Sequence, residues 1–147
     1  MRLKRRYIIC QALASEDQDS GAGDEYSARD VLGAIKEKVE ALFGDIGVGC
    51  FGTLSIIPLF DLKSKIFVLR TSREAETNLR FALSCITTIK NKVLIIRTLA
   101  VSGSARSCTE KLRTTFQTLV DSSNFNETLK AEQHQFYDKL MSTLELL

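Results

Sequence analysis

Three short runs, "YIIC" at 7–10, "KIFVL" at 65–69 and "KVLII" at 92–96, place apolar, often β-branched residues at successive positions. Side chains alternate faces along a strand, so a run without alternation predicts a strand with both faces out of water. Segments of a different period lie between the runs. In "SARDVLGAIKEKVEALFG", Val31, Leu32, Ile35, Val39, Leu42 and Phe43 recur at helical spacing. Ser27, with Asp30 three residues on, marks that helix's start, and "DIGVG" is predicted to end it. In "REAETNLRFALSCITTI", capped by Ser72, the stripe is Ala75, Leu79, Ala82, Leu83 and Ile86. A further strand falls within "CFGTLSIIPLF", where Pro58, the sole proline, predicts an edge or irregular position.

The resulting order is β-α-β-β-α-β, and two more helical segments follow. One carries Cys108, Leu112, Phe116 and Leu119 on one face; the other, from about Glu127, aligns Leu129, Phe136, Leu140 and Leu144. This predicts an α+β, ferredoxin-like antiparallel sheet. Two helices inside the repeat cover one face and the two appended C-terminal helices cover the other, giving three layers. At 147 residues the chain is read as one domain, 1–147, with its core in about 1–120.

The catalytic inventory is thin. The one histidine, His134, sits in polar "AEQHQ", and no Cys-His or Ser-His-Asp spacing supplies an oriented base. "FGDIGVGCFG" has GxG fragments but no lysine, so it is a weak phosphate loop. The acidic "SEDQDSGAGDE" reads as a solubilising loop rather than a metal site. Cys10, Cys50, Cys85 and Cys108 are widely spaced in apolar settings, which predicts reduced, buried thiols and neither zinc nor disulfides. No stretch approaches the roughly 20 apolar residues that span a bilayer. No catalytic residue, metal site, cofactor or membrane contact is therefore assigned to the chain itself.

Charge is more informative. The net charge is +2, yet residues 1–14 hold four cations and no acid, and residues 49–113 hold eleven cations against four acids. Such segregation steers polyanions. An RNA-recognition motif that stacks bases on an open sheet is not expected. "KSKIFVLRTS" lacks its Gly-aromatic pattern, and helices are predicted to close the sheet. RNA contacts are instead expected from Arg2, Lys4, Arg5 and Arg6 before the first strand, Lys63 and Lys65 in the hairpin, and Arg70 and Arg73 after the third strand. Ser102, Gly103 and Arg106 at "VSGSAR" complete the set, because a Ser-Gly turn into a helix leaves backbone N–H groups free for a phosphate. The rival reading is a protein-interaction module whose cations are incidental.

Four motifs in order carry a family resemblance: "MRLKRRYIIC" at 1–10, "LFGDIGVGC" at 42–50, "KIFVLRTSRE" at 65–74 and "VSGSARSC" at 101–108. They resemble the small protein subunit of archaeal and eukaryotic ribonuclease P and ribonuclease MRP, the processing-of-precursors subunit five family. Thr71 stands where that family has Cys, and Ser104 where it has Thr. The resemblance implies a non-catalytic subunit that braces a catalytic RNA for 5′ maturation of precursor tRNA, and extends to rRNA processing. It implies as partners that RNA, a TIM-barrel-like protein subunit, other ribonuclease P/MRP proteins and precursor tRNA. It also implies Mg²⁺ on the RNA rather than on the protein and, in a eukaryote, a nuclear and nucleolar location. Arg2, Lys4, Arg5, Tyr7, Arg70, Arg73, Ser102, Gly103 and Arg106 fall on its motifs.

Overall fold

The computed structural model describes residues 4–14, 26–52, 55–61 and 65–122, and the single positions 131, 135, 138 and 142. The elements run β1 (Arg5–Ala14), α1 (Ala28–Gly52), β2 (Ile56–Phe60), β3 (Ile66–Ser72), α2 (Glu76–Cys85), β4 (Thr88–Ile89), β5 (Lys92–Ser102) and α3 (Ala105–Ser122). All neighbouring strands pair antiparallel in the order β2-β3-β1-β5-β4. Each helix of the repeat therefore connects two parallel strands with a third strand between them, the ferredoxin-like plan.

Both faces of the centre are buried. Ile8, Cys10, Phe67, Leu69, Leu94 and Ile96 pack with Val31, Ile35, Val39, Leu79 and Leu83 of α1 and α2. On the other face Tyr7, Ile9, Leu59, Ile66 and Val68 pack with Cys108, Leu112 and Phe116 of α3. The three layers stand. The second appended helix falls mostly outside the described residues, as do the acidic loop 15–25 and His134. Ala131, Gln135, Asp138 and Ser142 are helical and exposed.

The structure corrects the reading of "KVLII". Val93 and Ile95 are 53% and 67% exposed, whereas Leu94 and Ile96 are buried. Helix α3 packs over β1 and the second half of β5, with Leu59, Ile66 and Val68 of β2 and β3 in the same cluster, so the first half of β5 is apolar on both faces but buried on one. Leu42, assigned to the core stripe, is also exposed.

Local chemistry explains the element boundaries. Ser27 caps α1 as predicted: its N–H and Oγ–H donate to Asp30 Oδ2 at 2.8 and 2.9 Å, and its Oγ accepts from the Asp30 N–H at 3.4 Å. Gly44, at φ 67° and ψ −156°, interrupts α1. "DIGVGCFG" then continues as a second helical segment, not the expected loop, because only the one glycine takes the left-handed conformation. Ser72 organises the turn before α2 by accepting from the Ala75 N–H at 3.2 Å, one turn ahead of the helix it was expected to cap. Helix α2 also ends earlier than expected. Thr87, Thr88 and Ile89 are β-branched, and Lys90 and Asn91 both take positive φ, so "TTIKNK" forms a tight hairpin. Pro58 lies on the edge strand β2, where its pairing with β3 shifts register.

The cysteines divide into two kinds. Burial pushes the Cys10 thiol up to about 12 and the Cys108 thiol up to about 11, which suppresses both thiolates. Cys85 is half-buried, and Cys50, expected in the core, is exposed because its helical segment turns it outward. A thiol-directed alkylating agent is therefore expected to modify Cys50 first and Cys85 more slowly. Cys10 and Cys108 should react only on unfolding, an order that mass spectrometry of timed samples will read.

Asp30 is held down to about 2, chiefly by the Ser27 N–H and then by Lys90, whose Nζ lies 3.1 Å from Oδ2. A carboxyl with a lower folded than unfolded pKa adds stability above its unfolded value, here 3.8, and loses it as pH falls through about 2. Asp30→Asn should be less stable than the parent above that window. The gap should close within it, as denaturant unfolding at several pH values will show.

Candidate nucleic-acid interface

The site is built by strand register. Antiparallel pairing sets Arg5 opposite Ser72, Arg6 opposite Thr71 and Tyr7 opposite Arg70 on one edge of β1, and Tyr7 opposite Ser102 on the other. The Arg73 N–H donates to the Lys4 carbonyl at 2.9 Å, extending the pairing past the strand ends. The start of β1 and the ends of β3 and β5 thus share one rim of the sheet, where α2 and α3 also begin. Lys4, Arg5, Arg6, Arg70, Arg73, Ser102, Gly103 and Arg106 are brought together there.

The remaining predicted residues are not part of this group. Arg2 and Lys63 lie outside the described residues. Lys65 is at the opposite end, where its carbonyl accepts from the Ala12 N–H at 3.0 Å, roughly 20 Å along β1 from Arg6. Its ammonium stands 5.1 Å from the Tyr26 ring centroid, a cation–π contact that accounts for it. Tyr7 is buried under α3 and is a packing residue.

A bulge in β5 completes the rim. Ile9 pairs with Ala100 but Cys10 pairs with Thr98, so Leu99 is the extra residue. The bulge reverses the side-chain phase. Leu94 and Ile96 face α1 and α2, whereas Ser102 shares the α3 face with Tyr7. Ser102 Oγ thereby reaches Ser107 Oγ at 3.3 Å. Ser104 caps α3, its Oγ accepting from the Ser107 N–H at 3.2 Å and its carbonyl from the Cys108 N–H at 3.0 Å. The N–H groups of the residues between them, Ala105 and Arg106, begin the helix and have no intrahelical acceptor.

The rim cations are held to different degrees. Among the described residues no carboxylate pairs with Lys4, Arg5, Arg70 or Arg73. Arg106 reaches Glu110 only at 3.8 Å, with its side chain 93% exposed. Arg6 differs. Its Nε lies 3.5 Å from Glu76 Oε2, its Nη1 donates to the Arg5 carbonyl at 3.0 Å, and the side chain is 26% exposed. A Cβ on Gly103 would fall 3.3 Å from Arg6 Nη1, so the glycine serves this close approach. Lys4, Arg5, Arg6, Arg70, Arg73 and Arg106 face Glu74, Glu76 and Glu110 at this rim, which leaves it positive. Such an array can hold phosphates; it contains no nucleophile with a base beside it. Among the described residues no cluster of His, Cys, Asp and Glu is placed to hold a metal ion.

Sequence reasoning missed Glu76, whose only visible signal is an acid in the first turn of a predicted helix. It also missed an apolar surface on the helical layer. Ile46, Phe81 and Leu42 are exposed there, and Phe43 meets Phe81 edge-on at 6.3 Å. The available signal was Phe81, which lies off the apolar stripe of its helix.

Comparison with known proteins gives this geometry a family. The model of the Rpp14/Pop5 family matches residues 6–113, from the first strand into α3. The chain is 32% identical over 111 residues to ribonuclease P protein component 2 of Pyrococcus abyssi, covering 76% of this chain and 86% of the relative. It is 26% identical over 113 residues to the probable ribonuclease P/MRP protein subunit POP5 of Arabidopsis thaliana, covering 71% and 72%. A chain in the cryo-EM structure of yeast ribonuclease MRP shares the fold at 12% identity and a TM-score of 0.53, with 84% of this chain and 98% of that one covered. With its matched span running from Arg6 past Arg106, across the strands and turns that build the basic rim, this chain belongs to the Rpp14/Pop5 family.

Proposed function

We propose that the protein is a subunit of ribonuclease P, ribonuclease MRP or both, and that its basic rim grips the backbone of the catalytic RNA. The observation that carries this reading is the gathering of Lys4, Arg5, Arg6, Arg70, Arg73 and Arg106 at one end of the sheet in a chain of this family. Cations on two strand ends and a helix start neutralise phosphates that would otherwise repel each other, and they hold RNA helices in a fixed arrangement. Cleavage of the 5′ leader of precursor tRNA then belongs to the RNA and its Mg²⁺, with the protein bracing the RNA; rRNA processing follows where the partner is the MRP RNA. Neighbouring proteins of the complex, a TIM-barrel-like subunit among them, find an apolar surface at Leu42, Ile46 and Phe81 on the helical layer. Precursor tRNA is within reach of the same particle, and in a eukaryote its place is the nucleus and nucleolus.

That apolar surface also supports the second reading, a protein-interaction module without direct RNA contact. Purification of the tagged chain followed by RNA sequencing separates assembly from its absence. Recovery of the ribonuclease P or MRP RNA is expected, and its absence would falsify the proposal. Direct contact is read from salt dependence. Affinity of the purified protein for that RNA should fall about tenfold or more between ~50 and ~200 mM salt. The combined Arg5→Ala, Arg70→Ala, Arg73→Ala change should weaken binding and flatten the salt slope by about one for each phosphate no longer neutralised. Lys65→Ala, at the other end of the sheet, should leave affinity and slope unchanged. RNA affinity indifferent to both salt and the triple change would favour the interaction module.

A further inference from the structure

We propose that Glu76 is a positioning residue that fixes the Arg6 guanidinium against Gly103 as a pre-ordered ligand for an RNA phosphodiester. The proposal rests on reading the rim as an RNA surface, and it concerns which cation is organised in advance.

Arg6 is held by three separate elements. Helix α2 supplies Glu76, whose Oε2 faces Arg6 Nε at 3.5 Å. Strand β1 supplies the Arg5 carbonyl, which takes one Nη1 hydrogen at 3.0 Å. The turn between β5 and α3 supplies Gly103, whose missing side chain leaves the space next to Nη1 and Cζ. A guanidinium has five N–H groups. The Arg5 carbonyl takes one Nη1–H and the Glu76 carboxylate stands as an ion-pair partner on the Nε side, while the Nη1–Nη2 edge keeps N–H groups of the kind that match a phosphate bidentately.

Glu76 is itself fixed from both sides. Its other oxygen, Oε1, lies 3.6 Å from Arg80 Nη1 one turn along α2, so one carboxylate bridges two guanidiniums. The other rim cations must lose side-chain freedom when a phosphate arrives, whereas Arg6 has already lost most of it. A carboxylate at a phosphate-binding rim opposes binding by its charge. It can aid binding only by ordering the cation beside it, and those two effects have opposite signs.

The opposition supplies the test. Glu76→Ala and Glu76→Gln both remove the charge, but the Gln side chain keeps an acceptor at the right length for Arg6 Nε. Affinity for the transcribed ribonuclease P RNA should fall about threefold to tenfold for Glu76→Ala, a usual coupling for residues in contact. For Glu76→Gln it should match or exceed that of the parent. In an Arg6→Ala background, Glu76→Ala should no longer weaken binding. Gly103→Ala crowds the same guanidinium at Nη1 without touching α2. It should weaken RNA binding when Arg6 is present and have no effect when Arg6 is absent. Thermal unfolding and circular dichroism of each variant report folding separately.

If the Ala and Gln variants bind alike, both tighter than the parent, Glu76 acts only through charge or as a first-turn acid of α2, and the proposal is overturned. If the Arg5, Arg70 and Arg73 changes weaken binding while the Glu76 and Gly103 changes do not, the RNA surface survives and the positioning role does not. Binding insensitive to every rim change overturns both.

Discussion

The rest of the structure depends on the burial of β1 on both faces and both edges. Ile8, Ile9 and Cys10 have no exposed surface, and each neighbour of β1 in the sheet is a full strand. A fully buried aliphatic side chain contributes about 1.5–3 kcal/mol, so Ile8 and Ile9, with the buried Cys10 beside them, make this segment costly to displace. A strand anchored in this way cannot slide, since a one-residue slip would exchange Ile8 for Ile9 between two differently shaped cores. The cations immediately before Tyr7 are therefore delivered to one place in the fold.

Register then converts sequence separation into proximity. Arg6, Arg73 and Arg106 are far apart in the chain but meet because β3 and β5 both end where β1 begins. The Leu99 bulge sets the finer arrangement. Without the extra residue Ser102 would face α1 and α2, and its hydroxyl could not approach Ser107 in the first turn of α3. The bulge also lets Gly103 follow Ser102 around the strand end and pass close to Arg6. One irregularity in one strand thus links the turn predicted from "VSGSAR" to the cations Lys4, Arg5 and Arg6 at the start of β1, which sequence reasoning named as basic contacts without joining the two in space.

Much of the fold was legible because its signals are local. The Ser27–Asp30 box, the helical stripes of α1 and α3 and the edge position of Pro58 each depend on a few neighbouring residues, and each is present. What was not legible depends on distant partners. "KVLII" carries the composition of a doubly buried strand, but whether Val93 and Ile95 are covered depends on where α3 crosses the sheet. "ITTIKNK" continues a helical pattern at Ile86, and only β-hairpin pairing with β5 overrules it. The same division holds at the site. Its basic residue types could be read in order, but the distance between Lys65 and the rim, and the pairing of Arg6 with Glu76, are tertiary facts without a local signature.

The rim also shows how the fold tolerates its own charge. Cations on adjacent strands lie within a Debye length, about 8 Å at physiological salt, so they repel one another even in solvent. Burying them would be far worse, and the chain keeps them at strand ends where water solvates them. Arg6 is the exception, drawn partly under the turn at Gly103. Among the described residues of the rim it is the one strand-end cation with a carboxylate partner. A bound polyanion would relieve the repulsion among the others. The native state that gains from that relief is the one with β1, β3 and β5 in register, because an unfolded chain does not hold these residues side by side. RNA binding and the integrity of the central strands are then linked through the same charges.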